Sequence, residues 1–105
     1  MAQFSVYTNL NSSTKDQYPL LLDIQNKLLD SLETRLVIPL IPLSKYESKP
    51  IKELMPIIAI NIKKYVVLTP LQAGIHKKLL GNFISDISAQ RQEIISSIDF
   101  LLTGF

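Results

Sequence analysis

Chemistry has few places to reside in this chain. Its one histidine is His76, followed by Lys77 and Lys78. A histidine titrates near neutrality and can carry a proton to or from a reacting atom. Beside exposed lysines in a strand-like run, His76 is expected to be an ordinary surface residue, because proton transfer needs a second group held against the ring. No nucleophile elbow accompanies it, so Ser-His-Asp chemistry is not suggested. Three scattered glycines cannot build a phosphate-cradling loop. Cysteine is absent, which excludes disulfides, thiol chemistry and cysteine-held metal. Asp23, Asp30 and Glu33 lie close together in the chain but lack the spacing of a calcium loop. No metal, no cofactor and no catalytic residue are therefore expected. Arg35 opens an apolar run and could hold a phosphate or carboxylate at a barrel mouth. The plainer expectation is an ion pair with Asp23 or Glu33. Tyr7, Tyr18 and Tyr65 could stack on bases, but tyrosines spread over strands are more often half-buried sheet residues.

The elements that must position these groups are mostly strands. Residues 3–8 alternate, with Phe4, Val6 and Thr8 on one face and Ser5 and Tyr7 on the other, as in a half-buried strand. The polar residues 9–17 suit a long hairpin connection to a second strand over 18–24, with Pro19 at its start or on an edge. Residues 25–32 form a break, a turn or a short extended piece, carrying the paired Leu28 and Leu29. Residues 34–42 are a β-branched strand whose interior Pro39 predicts an edge or a bulge. A surface loop with one helical turn fills 44–54. Residues 55–62 and 65–69 read as strands about a turn at 61–64. Residues 70–74 are a turn, 75–80 a last strand and 81–86 a lead into a helix. Five or six short strands and a closing helix predict a mainly β domain over residues 1–105, a small barrel or sandwich.

The closing helix begins near Ser88, a fair N-cap, with Glu93 early in it and Gly104 at the C′ position. Ile94, Ile95, Ile98, Leu101 and Leu102 fall on one helical face. That face is either a plug for the core or, at its tip, a hook for a partner.

The totals narrow the partners. The chain has 105 residues, 47% apolar and 19% charged, enough for a packed core with apolar surface to spare. A net charge of +2 gives no case for sequence-specific nucleic-acid binding. The N-terminal residues lack the pattern of a signal peptide. The longest apolar runs are too short to span a bilayer and contain prolines. A cytoplasmic protein without membrane association is the expectation.

Several segments, in their order and spacing, resemble one family. They are Gln3-Phe-Ser-Val-Tyr7, Leu22-Asp-Ile-Gln25 with Leu28-Leu-Asp30, Thr34-Arg-Leu-Val-Ile-Pro-Leu40, Glu53-Leu-Met-Pro-Ile57 with Leu68-Thr69, and Ile98-Asp-Phe-Leu-Leu-Thr-Gly-Phe105. Together they are similar to the CcdB toxins of plasmid and chromosomal toxin–antitoxin modules. The resemblance implies a small SH3-like barrel with a C-terminal helix, assembled as a homodimer. It also implies a non-enzymatic toxin that binds the A subunit of DNA gyrase, traps it on cleaved DNA, and is neutralised by a CcdA-like antitoxin. The family's gyrase contacts carry over to Thr103, Gly104 and Phe105, with Asp99 and Leu102 one turn earlier, and to Leu28 and Leu29. The sequence departs from the best-known pattern in two places. Thr103 stands where a tryptophan is common, and Phe105 where the terminal residue is isoleucine. Loss of a large aromatic anchor at an interface hot spot costs about 2–4 kcal/mol.

Two other functions compete. An endoribonuclease toxin of the MazF/Kid type, which resembles CcdB in fold, would draw on Arg35 and His76 for its chemistry. A homologue without toxicity would serve only to bind an antitoxin.

Overall fold

The computed structural model describes residues 2–104. Its hub is the strand β3, Thr34–Pro42, where Val37, Ile38, Leu40 and Ile41 supply the β-branched and apolar side chains that suit a sheet buried on both faces. On one side β3 pairs with β2, Leu20–Asp23, in the register Leu20↔Leu40 to Asp23↔Val37. On the other side it has two partners in turn. Residues 34–37 pair with β6, Ala73–His76, and residues 40–42 pair with β5, Lys63–Val67.

This handover corrects the expectation that Pro39 marks an edge or a bulge. The Ile24 amide donates to the Leu36 carbonyl across the β2 ladder, so by antiparallel alternation residue 39 turns its nitrogen away from β2. There the edge of β3 lies between its two partners, and no ladder bond is lost. The Pro39 carbonyl still accepts from the Leu68 amide at 3.1 Å. A proline thus sits mid-strand at the one step where its missing donor goes unused.

The remaining strands are β1, Ser5–Asn9, β4, Ile57–Ile60, and β7, Leu80–Asp86. The seven-stranded antiparallel sheet runs β4-β5-β3-β2-β1-β7, with β6 branching from β3. Among the described residues no ladder joins β4 to β7, so the curled sheet forms half a barrel. The helix α1, Arg91–Thr103, completes the core. Its Ile94 is fully buried in the inner cluster with Val6, Leu22, Ile38, Leu40 and Ile58, and Ile95 and Ile98 pack against the same cluster. Among the described residues no helix is long and apolar enough to cross a membrane.

The mainly β architecture with a closing helix agrees with the sequence reading, but several details differ. The first strand begins at Ser5, because Phe4 turns into the left-handed region at φ 66°. Its ring is buried, its amide donates to the Asp23 carbonyl and its carbonyl accepts from the Ile87 amide, which together hold an unfavourable backbone. The strand is also buried on both faces. Tyr7, Leu21, Val37 and Leu80, with Ile75, form a second cluster on the outer side.

Residues 81–86, expected only to lead into the helix, are the body of β7 and pair with β1. The expected strand over 75–80 breaks after His76 into a 3-10 turn, Lys77–Leu79. Lys63 and Lys64 belong to β5 rather than to a turn, which shrinks to Asn61 and Ile62, with Asn61 at φ 58°. Ser88 is not the helix N-cap. It opens a 3-10 turn, Ser88–Gln90, and its amide donates to Asp86 Oδ1 at 2.8 Å. That amide, with the Ser88 hydroxyl, holds the Asp86 carboxyl below the usual carboxylate range. Glu93 does fall in the first turn of α1, and Gly104 does close it in the left-handed conformation at φ 80°.

Candidate functional site

The expected contact residues occupy two places. Leu28 and Leu29 lie on a 3-10 turn, Lys27–Leu29, between β2 and β3. The turn forms because Asn26 Oδ1 accepts from the Leu28 amide and the Asn26 carbonyl accepts from the Leu29 amide, both at 2.9 Å. Leu28 is 82% exposed and Leu29 49%. Residues 26–34 are exposed without interruption, so no buried side chain anchors this segment.

The second place is the end of α1. Ile94 is fully buried, Ile95, Ile98 and Leu101 are half-buried, and Leu102 is 71% exposed. Asp99, Thr103 and Gly104 are exposed beside it. Burial therefore falls away along one helix, and the tip expected to act as a hook is exposed. The Thr103 hydroxyl donates back to the Asp99 carbonyl at 2.7 Å. Phe105 lies outside the described residues. Among the described residues no hydrogen bond or ion pair links the helix end to the Leu28–Leu29 turn. Each place is held by its own element.

Among the described residues one buried side-chain hydrogen bond ties the helix to the 3-10 turn Thr69–Leu71 that follows β5. The Ser97 hydroxyl donates to the Ile94 carbonyl at 2.7 Å, which uses its only proton. The Thr69 hydroxyl, 3.0 Å away, must then donate to Ser97. Thr69 and Ser97 are both buried, and each satisfies the other.

Beneath the leucine turn sits a charged cluster that the sequence indicated only in part. Arg35 is 2% exposed. Its Nη2 and Nε donate to Asp23 Oδ2 at 2.6 and 3.0 Å, and its Nη1 donates to Asp30 Oδ1 at 2.5 Å. Asp23 was an expected partner. Glu33 was the other, and it instead faces His76 Nε2 and Lys77 Nζ, each at 3.6 Å on the surface. Asp30, five residues before Arg35, was missed as a partner. Burial pushes the Asp23 carboxyl above its ordinary range, while the Gln25 amide and Arg35 pull it back. Burial alone would lower Arg35, but the bonds from Asp30 and Asp23 outweigh it and hold the guanidinium above its ordinary value. The cation stays charged, and each of its three nitrogens already donates to a carboxylate in a buried site, so it is not placed to bind a phosphate.

The two residues an RNA-cleaving site would need are kept apart. Thr34 pairs with His76 across the β3–β6 ladder and Arg35 pairs with Ile75. Successive residues of a strand face opposite sides of the sheet, so Arg35 and His76 project from opposite faces. His76 Nδ1 accepts from the Lys78 amide at 3.1 Å.

A family model described as CcdB protein matches residues 3–104. The chain belongs to the CcdB family. Membership suggests a toxin of a toxin–antitoxin module, with the kinds of partner such toxins have.

Proposed function

We propose that this chain is the toxin of a type II toxin–antitoxin system that binds the A subunit of DNA gyrase and traps the cleaved DNA complex. The observation that carries this reading is the division of α1. A helix whose first turns are buried ends in an exposed Leu102-Thr103-Gly104, and an apolar side chain left 71% exposed at a helix tip is available surface rather than core. Leu28, Leu29 and Asp99 add to the contact, together with Phe105 next to Gly104.

The mechanism is that of a wedge. A homodimer presents two copies of the helix tip about one symmetry axis to a symmetric target. Binding the open, DNA-cleaved state of gyrase more tightly than the closed one holds that state by differential affinity alone. The protein performs no catalysis of its own and takes no cofactor. A CcdA-like antitoxin neutralises it in the cytoplasm by covering the dimer.

The decisive experiment is a gyrase cleavage-complex assay with the purified protein and with a variant lacking Gly104 and Phe105. The full chain should accumulate cleaved DNA, and the shortened one should fold and accumulate none. Trapping by the shortened chain would sink the proposal. RNA cleavage that Arg35→Ala abolishes would favour the endoribonuclease reading, against which stand the burial of Arg35 and the opposite facing of His76. A folded full chain that binds the antitoxin but neither traps gyrase nor kills cells would be the non-toxic homologue.

A further inference from the structure

The Leu28–Leu29 turn poses a physical problem. It offers two apolar side chains to solvent, yet every residue from 26 to 34 is exposed. Such a segment has no hydrophobic anchor and would be expected to sample many conformations. Its ties to the sheet are polar. Gln25 Nε2 donates to the Leu29 carbonyl at 2.9 Å, and the Gln25 Oε1 accepts from the Leu36 amide at 3.0 Å, so one buried carboxamide bridges the turn and β3. The Gln25 amide is itself bonded to Asp23 Oδ1 at 3.0 Å. Arg35 rises from β3, is fixed below by Asp23, and reaches the turn through Asp30, the residue directly after Leu29.

We infer that Gln25, Arg35 and Asp30 are positioning residues that clamp the Leu28–Leu29 turn in its binding-competent shape. A buried ion pair is a weak source of stability, because desolvating two charges offsets their attraction. What the cluster does supply is direction. A guanidinium is a rigid fork, and here one arm is held by a carboxylate of the sheet while the other holds a carboxylate of the turn. The carboxamide adds a second bond one residue away, at the Leu29 carbonyl. Two bonds to consecutive residues from a base that cannot shift fix where both leucines point. The inference rests on the proposed role of Leu28 and Leu29 as gyrase contacts.

Asp30→Ala tests it, since the Asp30 side chain is 48% exposed and its loss opens no core cavity. The variant should melt within a few degrees of the parent. The 15N order parameters of Leu28 and Leu29 should drop from about 0.85 to below about 0.6, with those of β3 unchanged. Affinity for the purified gyrase A subunit should fall about ten-fold, as expected when roughly a tenth of molecules hold the competent shape. Asp30→Asn, which keeps an oxygen for Arg35 Nη1, should recover most of both losses, and it carries the comparison if the alanine variant folds poorly. Order parameters that stay high in Asp30→Ala overturn the clamp. So does a mobile turn with unchanged affinity when Leu28→Ala binds weakly. If Leu28→Ala binds as tightly as the parent, the contact reading itself fails, and the order parameters still decide whether the turn is clamped.

Discussion

The division of α1 into a buried part and an offered part gives paired expectations for Ile94→Ala and Leu102→Ala. Ile94 is fully buried against the inner cluster. Truncating such a side chain removes transfer energy and leaves a cavity, about 2–5 kcal/mol in comparable cores. At roughly 4 °C per kcal/mol for a domain of this size, melting should fall by about 10–20 °C. Leu102 keeps 71% of its surface exposed, so its truncation should change stability by less than about 0.5 kcal/mol. Binding reverses the order. Fully burying a leucine stabilises by about 1.5–3 kcal/mol, and the surface Leu102 still has to bury should contribute about 1–2 kcal/mol. Leu102→Ala should therefore weaken binding to the gyrase A subunit about 5- to 30-fold, while folded Ile94→Ala binds like the parent. Thermal melts at matched protein concentration and titration calorimetry measure the two quantities, the matching being required by the proposed homodimer. A Leu102→Ala variant that melts 10 °C lower and binds normally would place Leu102 in a subunit interface and refute the division.

Three further perturbations probe the framework around the site. Gly104→Ala puts a side chain at φ 80° with no atom within 4 Å, so the cost is backbone strain alone, about 1 kcal/mol, seen as a melt lowered by about 4 °C; an unchanged melt would mean that the helix end relaxes freely. Ser97→Ala leaves the buried Thr69 hydroxyl without its acceptor and should destabilise by about 1–3 kcal/mol in a denaturant titration, whereas a loss no larger than a surface substitution would contradict that bond. Arg35→Ala strands the fully buried Asp23 carboxylate, at about 3–5 kcal/mol near neutral pH. Asp23 is already raised by burial and rises further without Arg35. A carboxyl raised in the folded state contributes stability below its unfolded pKa and loses it as pH climbs through the folded value. The deficit of Arg35→Ala should accordingly shrink as pH falls from 7 toward 4, and a deficit independent of pH would exclude Asp23 as its source.

What could be read from the sequence followed the strength of the local signal. β3 was bounded correctly, Thr34–Pro42, because Leu36, Val37, Ile38, Leu40 and Ile41 make a dense apolar, largely β-branched stretch between the polar residues before Thr34 and the proline at 42. β7 was missed because it is a mostly exposed edge strand, bound to β1 through its backbone, and shows neither alternation nor a buried run. The helix stripe and its terminal glycine were legible from period and residue type. Its start was not, since Asp86, rather than Ser88, supplies the side-chain acceptor, and a 3-10 turn intervenes. At the site, the exposed leucine pair stood out, and the Asp23–Arg35 pairing was anticipated from proximity. The reach of Arg35 to Asp30 depends on how the turn folds back over the strand, which no pairwise spacing reveals.

The two proposed contact groups are thus held by opposite means, and this has a consequence for how each can vary. The helix tip inherits its position from Ile94, inside the core, and from half-buried Ile95 and Ile98 packed against it one to two turns earlier. Apolar packing of that kind is non-directional and tolerates change at the tip itself. Thr103 can occupy a position where an aromatic residue is common without disturbing what lies beneath it. The leucine turn has no such foundation, and its placement depends on the directions of a few hydrogen bonds from Arg35 and Gln25. Directional contacts fail when either partner is altered, because the group left behind is buried and unsatisfied. Substitution at the exposed tip therefore tunes affinity while the fold persists. Substitution in the charged base beneath the turn changes position and stability together, least so at half-exposed Asp30, whose removal opens no core cavity and leaves Arg35 still paired with Asp23.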